Sequence, residues 1–292
     1  MKTTIPEELT KEVPQTPWGK MLVATPVIMT VVATLLAGLA SSEMTTAQYD
    51  RAYAAQLQSK AGDQWSYFQA KKIRGAMQLN SLALLEATVD VHPLPASLLT
   101  NGNPLAIAAL EKNELPAVAR PEIDDQLKVA LEALENSAPE IEIVVPLNRV
   151  KAETLAAALR SANNDAIAFD AATKPITQAI AQLEKSLAAD RAVARDFAAA
   201  KMRLTAVRYD AEARLNQSIA NLLELQVRQS NISAERHHTR SGRFFIGMLG
   251  AQAAVIVSTL AMAARQRNLL WTLAAVAGLA AVVFAIYVYV RV

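Results

Sequence analysis

The chain has 292 residues, with 29 Lys and Arg against 27 Asp and Glu, a formal net charge of +2, and no cysteine. The balanced charge gives no electrostatic reason to expect nucleic acid as a partner. The lack of cysteine excludes disulfides, thiolate metal sites and cysteine nucleophiles. Nine glycines leave neither a G-x-x-x-x-G-K-S/T loop nor a G-x-G-x-x-G loop. With no alternating Val, Ile and Thr runs either, the chain reads as all-α.

Residues 1–17 hold three of the twelve prolines and mixed charges, and read as a flexible tail. The first span follows over 18–41. Its charge-free core, Met21–Ala40, has the length a helix needs to cross hydrocarbon. Trp18 and Lys20 sit where an interfacial aromatic and a snorkelling cation belong. Pro26 falls near the expected helix start, where a missing N–H costs little. Lys20, the apolar run, Gly38 and Ala40 resemble a cleavable signal. The run is longer than a signal core and lies some way into the chain, so a retained anchor is expected.

Residues 42–90 form the expected rising stalk helix, free of proline. Leu57, Ala61, Trp65, Phe68, Ala76, Leu79 and Leu82 recur at steps of three and four, interrupted by Lys72. Residues 91–175 differ, because eight prolines cut them into short pieces. Pro104–Lys112, Pro121–Asn136 and Leu147–Ala162 are the expected helices, and Ile141–Val145 the one candidate strand. Together they read as a small helical cap.

Residues 176–242 read as one returning stalk helix. Ile180, Leu187, Ala194, Leu215 and Leu222 take one heptad core position. Leu183, Phe197, Leu204, Ala211, Leu225 and Ile232 take the other, with Asp190, Lys201, Arg208 and Ser218 as interruptions. Its natural partner is the rising helix, packed antiparallel. The expected fold class is therefore all-α: three transmembrane helices, a long antiparallel coiled-coil-like hairpin stalk and a small cap.

The second and third spans, 243–264 and 269–290, carry the charge-free runs Phe244–Ala264 and Leu269–Val290. Arg265-Gln266-Arg267-Asn268 is the polar turn between them. Gly247 with Ala251, and Gly250 with Ala254, place small residues on one side of the second span, permitting close helix contact. No span has an ionisable side chain in its middle, which argues against ion-coupled transport by a single chain. Lys20, Arg265 and Arg267 are the topology-determining cations, favouring tail and turn in the cytoplasm and the stalk and cap in the periplasm. Arg236, Arg240 and Arg243 weigh against that orientation.

Asp63-Gln64-Trp65-Ser66-Tyr67-Phe68-Gln69-Ala70-Lys71-Lys72-Ile73-Arg74 is the densest local signal. Trp65 and Phe68 belong to the apolar stripe, while Asp63, Tyr67 and Lys71 are spaced i, i+4, i+8 on another face. Two used faces suit contact with both the hairpin partner and a second chain. An ordinary core stripe beside a solvated charge ladder fits the same residues. Asp63, Gln64, Trp65, Tyr67, Phe68, Gln69, Lys71, Gly247, Gly250 and Ala251 are the candidate assembly residues. His237-His238, near Glu235 and Arg236, face different sides of a helix, and His92 adds too little for metal, so no metal or cofactor is expected. Asp124-Asp125, Glu140 and Glu142 read as solvated surface rather than acid–base groups.

The run D-Q-W-x-Y-F-Q-A-K-x-I resembles the signature of an uncharacterised bacterial membrane-protein family, a DUF4337-like domain of unknown function. Arg265–Trp271 is similar to the arginine-rich turn before Leu-Trp in its C-terminal hairpin. The resemblance covers about 20–88 and 205–290, and sets 90–175 apart as longer than in the family. It implies a membrane protein with no assigned activity. The expectation is a non-enzymatic scaffold of the bacterial inner membrane that self-associates. A sensor or relay subunit and an adaptor of an export complex are the alternatives. The expected partners are the bilayer, further copies of the chain and other membrane proteins.

Overall fold

The computed structural model describes residues 17–94, 103–117, 123–263 and 267–291. Among these there is no strand, and the helices are α1 (Pro17–Thr88), α2 (Pro104–Lys112), α3 (Asp125–Glu135), α4 (Glu140–Leu147), α5 (Ala152–Leu187), α6 (Arg191–Ala263) and α7 (Arg267–Arg291). The all-α expectation is met. Three helices, α1, α6 and α7, are long and apolar enough to cross a membrane. The chain divides into two compact units, one of Met1–Ala52 with Ser230–Val292 and one of Tyr53–Gln229.

In the first unit, Ala33, Leu36 and Ala40 of α1 pack with Phe244 and Ala251 of α6 and with Ala281 and Val288 of α7. On α6 the buried positions step by three and four through Phe244, Gly247, Ala251, Ala254, Ser258 and Ala261. Small side chains hold the interior, while Val27, Leu35, Ile256 and Leu279 are exposed. That distribution suits hydrocarbon as solvent, where close backbone approach rather than hydrophobic burial holds helices together. Pro26 lies well inside α1, not at its start, because the helix begins at Pro17. The Thr25 hydroxyl donates to the Met21 carbonyl and the Thr30 hydroxyl to the Pro26 carbonyl, so both hydroxyls are satisfied within their own helix.

In the second unit α1 packs on α6, and α2 to α5 complete the core. The inward positions of α1 are Ala54, Leu57, Ala61, Gln64, Phe68, Lys71, Gly75, Gln78, Leu82 and Leu85. The expected stripe is corrected here: Ala76 and Leu79 are exposed, and Gly75 and Gln78 take their place. A helix paired along its length keeps a period of 3.5, so the inward row follows strict heptad steps rather than apolarity.

Further expectations change. The Ile141–Val145 strand is helix α4, whose first turn carries Glu140 and Glu142. Those carboxylates favour a helix N-terminus, and packing against α3 overrides the β-branched run. The helix expected from Pro121 starts at Asp125, where Asp124 Oδ1 accepts from the amides of Gln126 and Leu127. The helix expected over Leu147–Ala162 starts at Ala152 and continues through Pro175 to Leu187. The boundary at 175 is therefore absent, and the single returning helix is two. Its break falls at 188–190, where Asp190 Oδ1 accepts from Ala192 N at 2.9 Å and Val193 N at 3.3 Å. The residue that interrupts the heptad is the N-cap of α6. By contrast α2 keeps its expected bounds: Pro104 opens it, Asn103 caps it, and Asn113 ends it in the left-handed region at φ 55°.

Candidate functional site

The motif on α1 divides between two surroundings. Trp65 and Phe68 meet edge to face at 5.4 Å, and Trp65 Nε1 donates to Glu224 of α6 at 2.6 Å. Lys71 pairs with Glu212 and lies 5.5 Å from the Tyr209 ring centroid, while Arg208 reaches Glu212 at 3.3 Å. Lys72 meets Asp210 at 2.6 Å, and Arg214 meets the same carboxylate at 2.8 Å. The Lys72 hydrogen bond is the largest cause holding the Asp210 carboxyl below its ordinary range. Trp65, Phe68 and Lys71 are thus used within the chain, and Gln64 is half-buried beside them. Asp63, Tyr67 and Gln69 remain exposed.

The far part of α1 has a second, uncharged face, with Asn80 between Met77 and Leu84, that the stripe analysis missed. Gly75–Leu85 carries no charge. Ile73, Met77, Leu79 and Leu84 are 61%, 60%, 54% and 67% exposed. The signal was present in the sequence as apolar residues on all sides of the helix, not on one.

In the first unit, Gly247 sits against Leu36, Phe284 and Ala281, and Gly250 against Ala281. Ala251 is fully buried. These small positions serve contacts inside the chain. Lys20 is exposed, Arg267 opens α7, and Arg265 lies outside the described residues. His237 Nδ1 approaches Glu43 Oε2 at 2.5 Å. His92 lies in the second unit beside Asp90 and Asp196. Among the described residues no three His, Cys, Asp or Glu side chains gather as a metal site.

The second unit also has a half-open pocket of about 930 Å³ between α3, α5 and α6. Leu127, Phe169, Leu215 and Leu222 give it apolar walls, and Asp124, Glu135, Asp165 and Arg214 give it polar ones. Sequence reasoning did not find it. The available trace was the small-residue run along Thr154–Ala162 of α5.

The family model described as domain of unknown function (DUF4337) matches residues 18–175, more than half of the chain. The match runs through the cap, which the resemblance had set apart, and stops before the C-terminal hairpin. Among curated proteins and among solved structures, none matches the chain.

Proposed function

We propose, from the premise that the chain belongs to the DUF4337 family of unknown function, that it is a non-catalytic scaffold of the bacterial inner membrane. It self-associates through the outer face of α1 in the second unit. The observation that supports this reading is the uncharged face of Ile73, Met77 and Leu84, each at least 60% exposed. A helix with apolar residues all round is ordinarily covered on all sides. A face without charge has no electrostatic selectivity for a foreign partner, and it complements itself across a two-fold axis. Exposed Asp63, Tyr67 and Gln69 extend the same helix towards its middle.

The test uses the chain's lack of cysteine. Met77→Cys in nanodiscs is oxidised and the particle mass of the wild type is measured. A defined oligomer and a disulfide-linked dimer are expected, with Met77→Glu dispersing the oligomer. A monomeric wild type that gives no cross-link ends the self-association reading.

A sensor or relay role is the second reading, and the pocket in the second unit favours it. In either reading Lys20, Arg265 and Arg267 favour tail and turn in the cytoplasm and the second unit in the periplasm, against the pull of Arg236, Arg240 and Arg243. Asn163→Cys should then react with an impermeant thiol reagent on intact cells, and Gln266→Cys should not. The reverse pattern overturns the orientation.

A further inference from the structure

The wide, half-open pocket of the second unit offers apolar and polar side chains together to a ligand. The core formed by α2, α5 and α6 is filled by Ile176, Ile180 and Phe197. About four to six turns away on α5, the wall is Thr154, Ala157, Ala158, Ser161 and Ala162, a trough of small side chains spaced by three and four. Facing it across the pocket, α6 presents Val207, Ala211, Ser218 and Leu222, at steps of four, seven and four. The floor is set by Leu127, Phe169 and Leu222, which are 0%, 4% and 2% exposed. The volume, about 930 Å³, falls in the range of small-molecule sites, about 300–1,000 Å³.

The charges around the pocket are unequal. Three carboxylates line it, Asp124, Glu135 and Asp165, against one cation, Arg214. Arg214 is held by Asp210 at 2.8 Å. Asp124 accepts two backbone amides of α3, and Glu135 accepts from the Asn221 amide at 3.0 Å. Asp165 is half-buried at the wall and has no ion-pair partner among the described residues. A negative wall over an apolar floor complements a molecule with an apolar body and a protonated amine.

We infer that this cavity binds a small cationic amphiphile, with Asp165 receiving the amine and the α5 trough receiving the hydrocarbon. A charge-assisted hydrogen bond is stronger than a neutral one. The amine should therefore outbind its neutral analogue. The site lies within the second unit, and it stands whether or not that unit self-associates.

The probe is 1-octylamine against 1-octanol, titrated calorimetrically into full-length protein in nanodiscs, with binding to empty nanodiscs subtracted. Wild type should bind octylamine saturably and about tenfold tighter than octanol, roughly the worth of one charge-assisted contact. Asp165→Asn should bring the two affinities together while leaving octanol binding unchanged. Ala158→Trp, which fills the trough, should remove both. Equal affinities for amine and alcohol in wild type overturn the cationic assignment. Saturable binding that survives in a folded Ala158→Trp variant overturns the site. Should that variant not fold, octylamine affinity unchanged in Asp165→Asn overturns the proposal by itself.

Discussion

The two units use the same spacing to opposite ends. In the first, inward positions on α6 step by three and four, and they are filled by Gly247, Ala251, Ala254, Ser258 and Ala261. Many of its large side chains, such as Val27, Leu35 and Leu279, point outward, while Leu36, Phe244 and Val288 are buried. In the second, inward positions of α1 follow the same steps, but the core is Phe169, Phe197 and leucines. Charges stand along the edges of that second seam, as Lys72 with Asp210 and Arg203 with Glu86. The periodicity belongs to helix pairing and is indifferent to solvent. What fills it is decided by solvent. Water rewards burying large apolar groups, while hydrocarbon offers no such reward and leaves close contact between small residues.

The comparison breaks most visibly by removing bulk where bulk holds the fold. Phe197 is 1% exposed and packs with α2 and α5. Phe197→Ala should destabilise the second unit by about 3–5 kcal/mol, the usual cost of emptying an aromatic core site. Thermal unfolding followed by helical circular dichroism reads it, and a midpoint within a degree of wild type contradicts the core assignment. In the first unit the opposite change is the damaging one. A Cβ at Gly247 would meet Leu36 Cδ1 at 3.5 Å and Phe284 Cδ1 at 3.7 Å, both ordinary contacts. Gly247→Ala should be tolerated, and Gly247→Ile should cost about 1–3 kcal/mol by overpacking. Equal melting of the two variants in nanodiscs would show that the seam is looser than its contacts.

Much of this contrast was legible from the sequence. The spans stand out because about 20 uncharged residues have no other economical fold in lipid. α2 stands out because proline at its first turn and asparagine at both ends leave its bounds little freedom. The misreadings share a cause. Ile141–Val145 looks like a strand, and Pro175 looks like a boundary, when each is judged from its own neighbours. Tertiary packing decided both, placing Ile143 in the core and carrying α5 across the proline. Asp190 was visible as a break in the heptad, but its capping role needed the backbone. The motif divided because Lys71 lies on an inward heptad step while Tyr67 lies beside it. The cavity was beyond reach, since it depends on which faces of three helices meet. The small-residue run on α5 says only that something must come close or stay away.

The seam of the second unit also admits a polar test. Trp65 Nε1 donates to Glu224 at 2.6 Å. Trp65→Phe keeps the ring contact with Phe68 and removes the donor. It should cost about 1.5–3 kcal/mol, the range for hydrogen bonds to charged groups. In a double-mutant cycle with Glu224→Leu, strictly additive losses would show that the two side chains do not interact.

The smallest expected effect is electrostatic, and it has a sign that can be checked. The Arg195 hydrogen bond, at 2.9 Å, is the largest cause holding the Asp196 carboxyl below its ordinary value of 3.8. Burial opposes it, and the backbone N–H of His92, at 3.3 Å, adds to it. A carboxyl that is more acidic when folded binds fewer protons in the native state than in the unfolded one. Its stabilisation is therefore complete above the unfolded value and fades as pH falls through the folded value. Asp196→Asn should lower the melting midpoint at neutral pH by an amount worth less than about 1 kcal/mol, because partly exposed ion pairs are weak. The gap between variant and wild type should then close below about pH 4, where the wild-type carboxylate takes up its proton. A gap that stays constant to the acid limit would assign the loss to packing or to the His92 amide. Asp196 would then contribute through its shape rather than its charge.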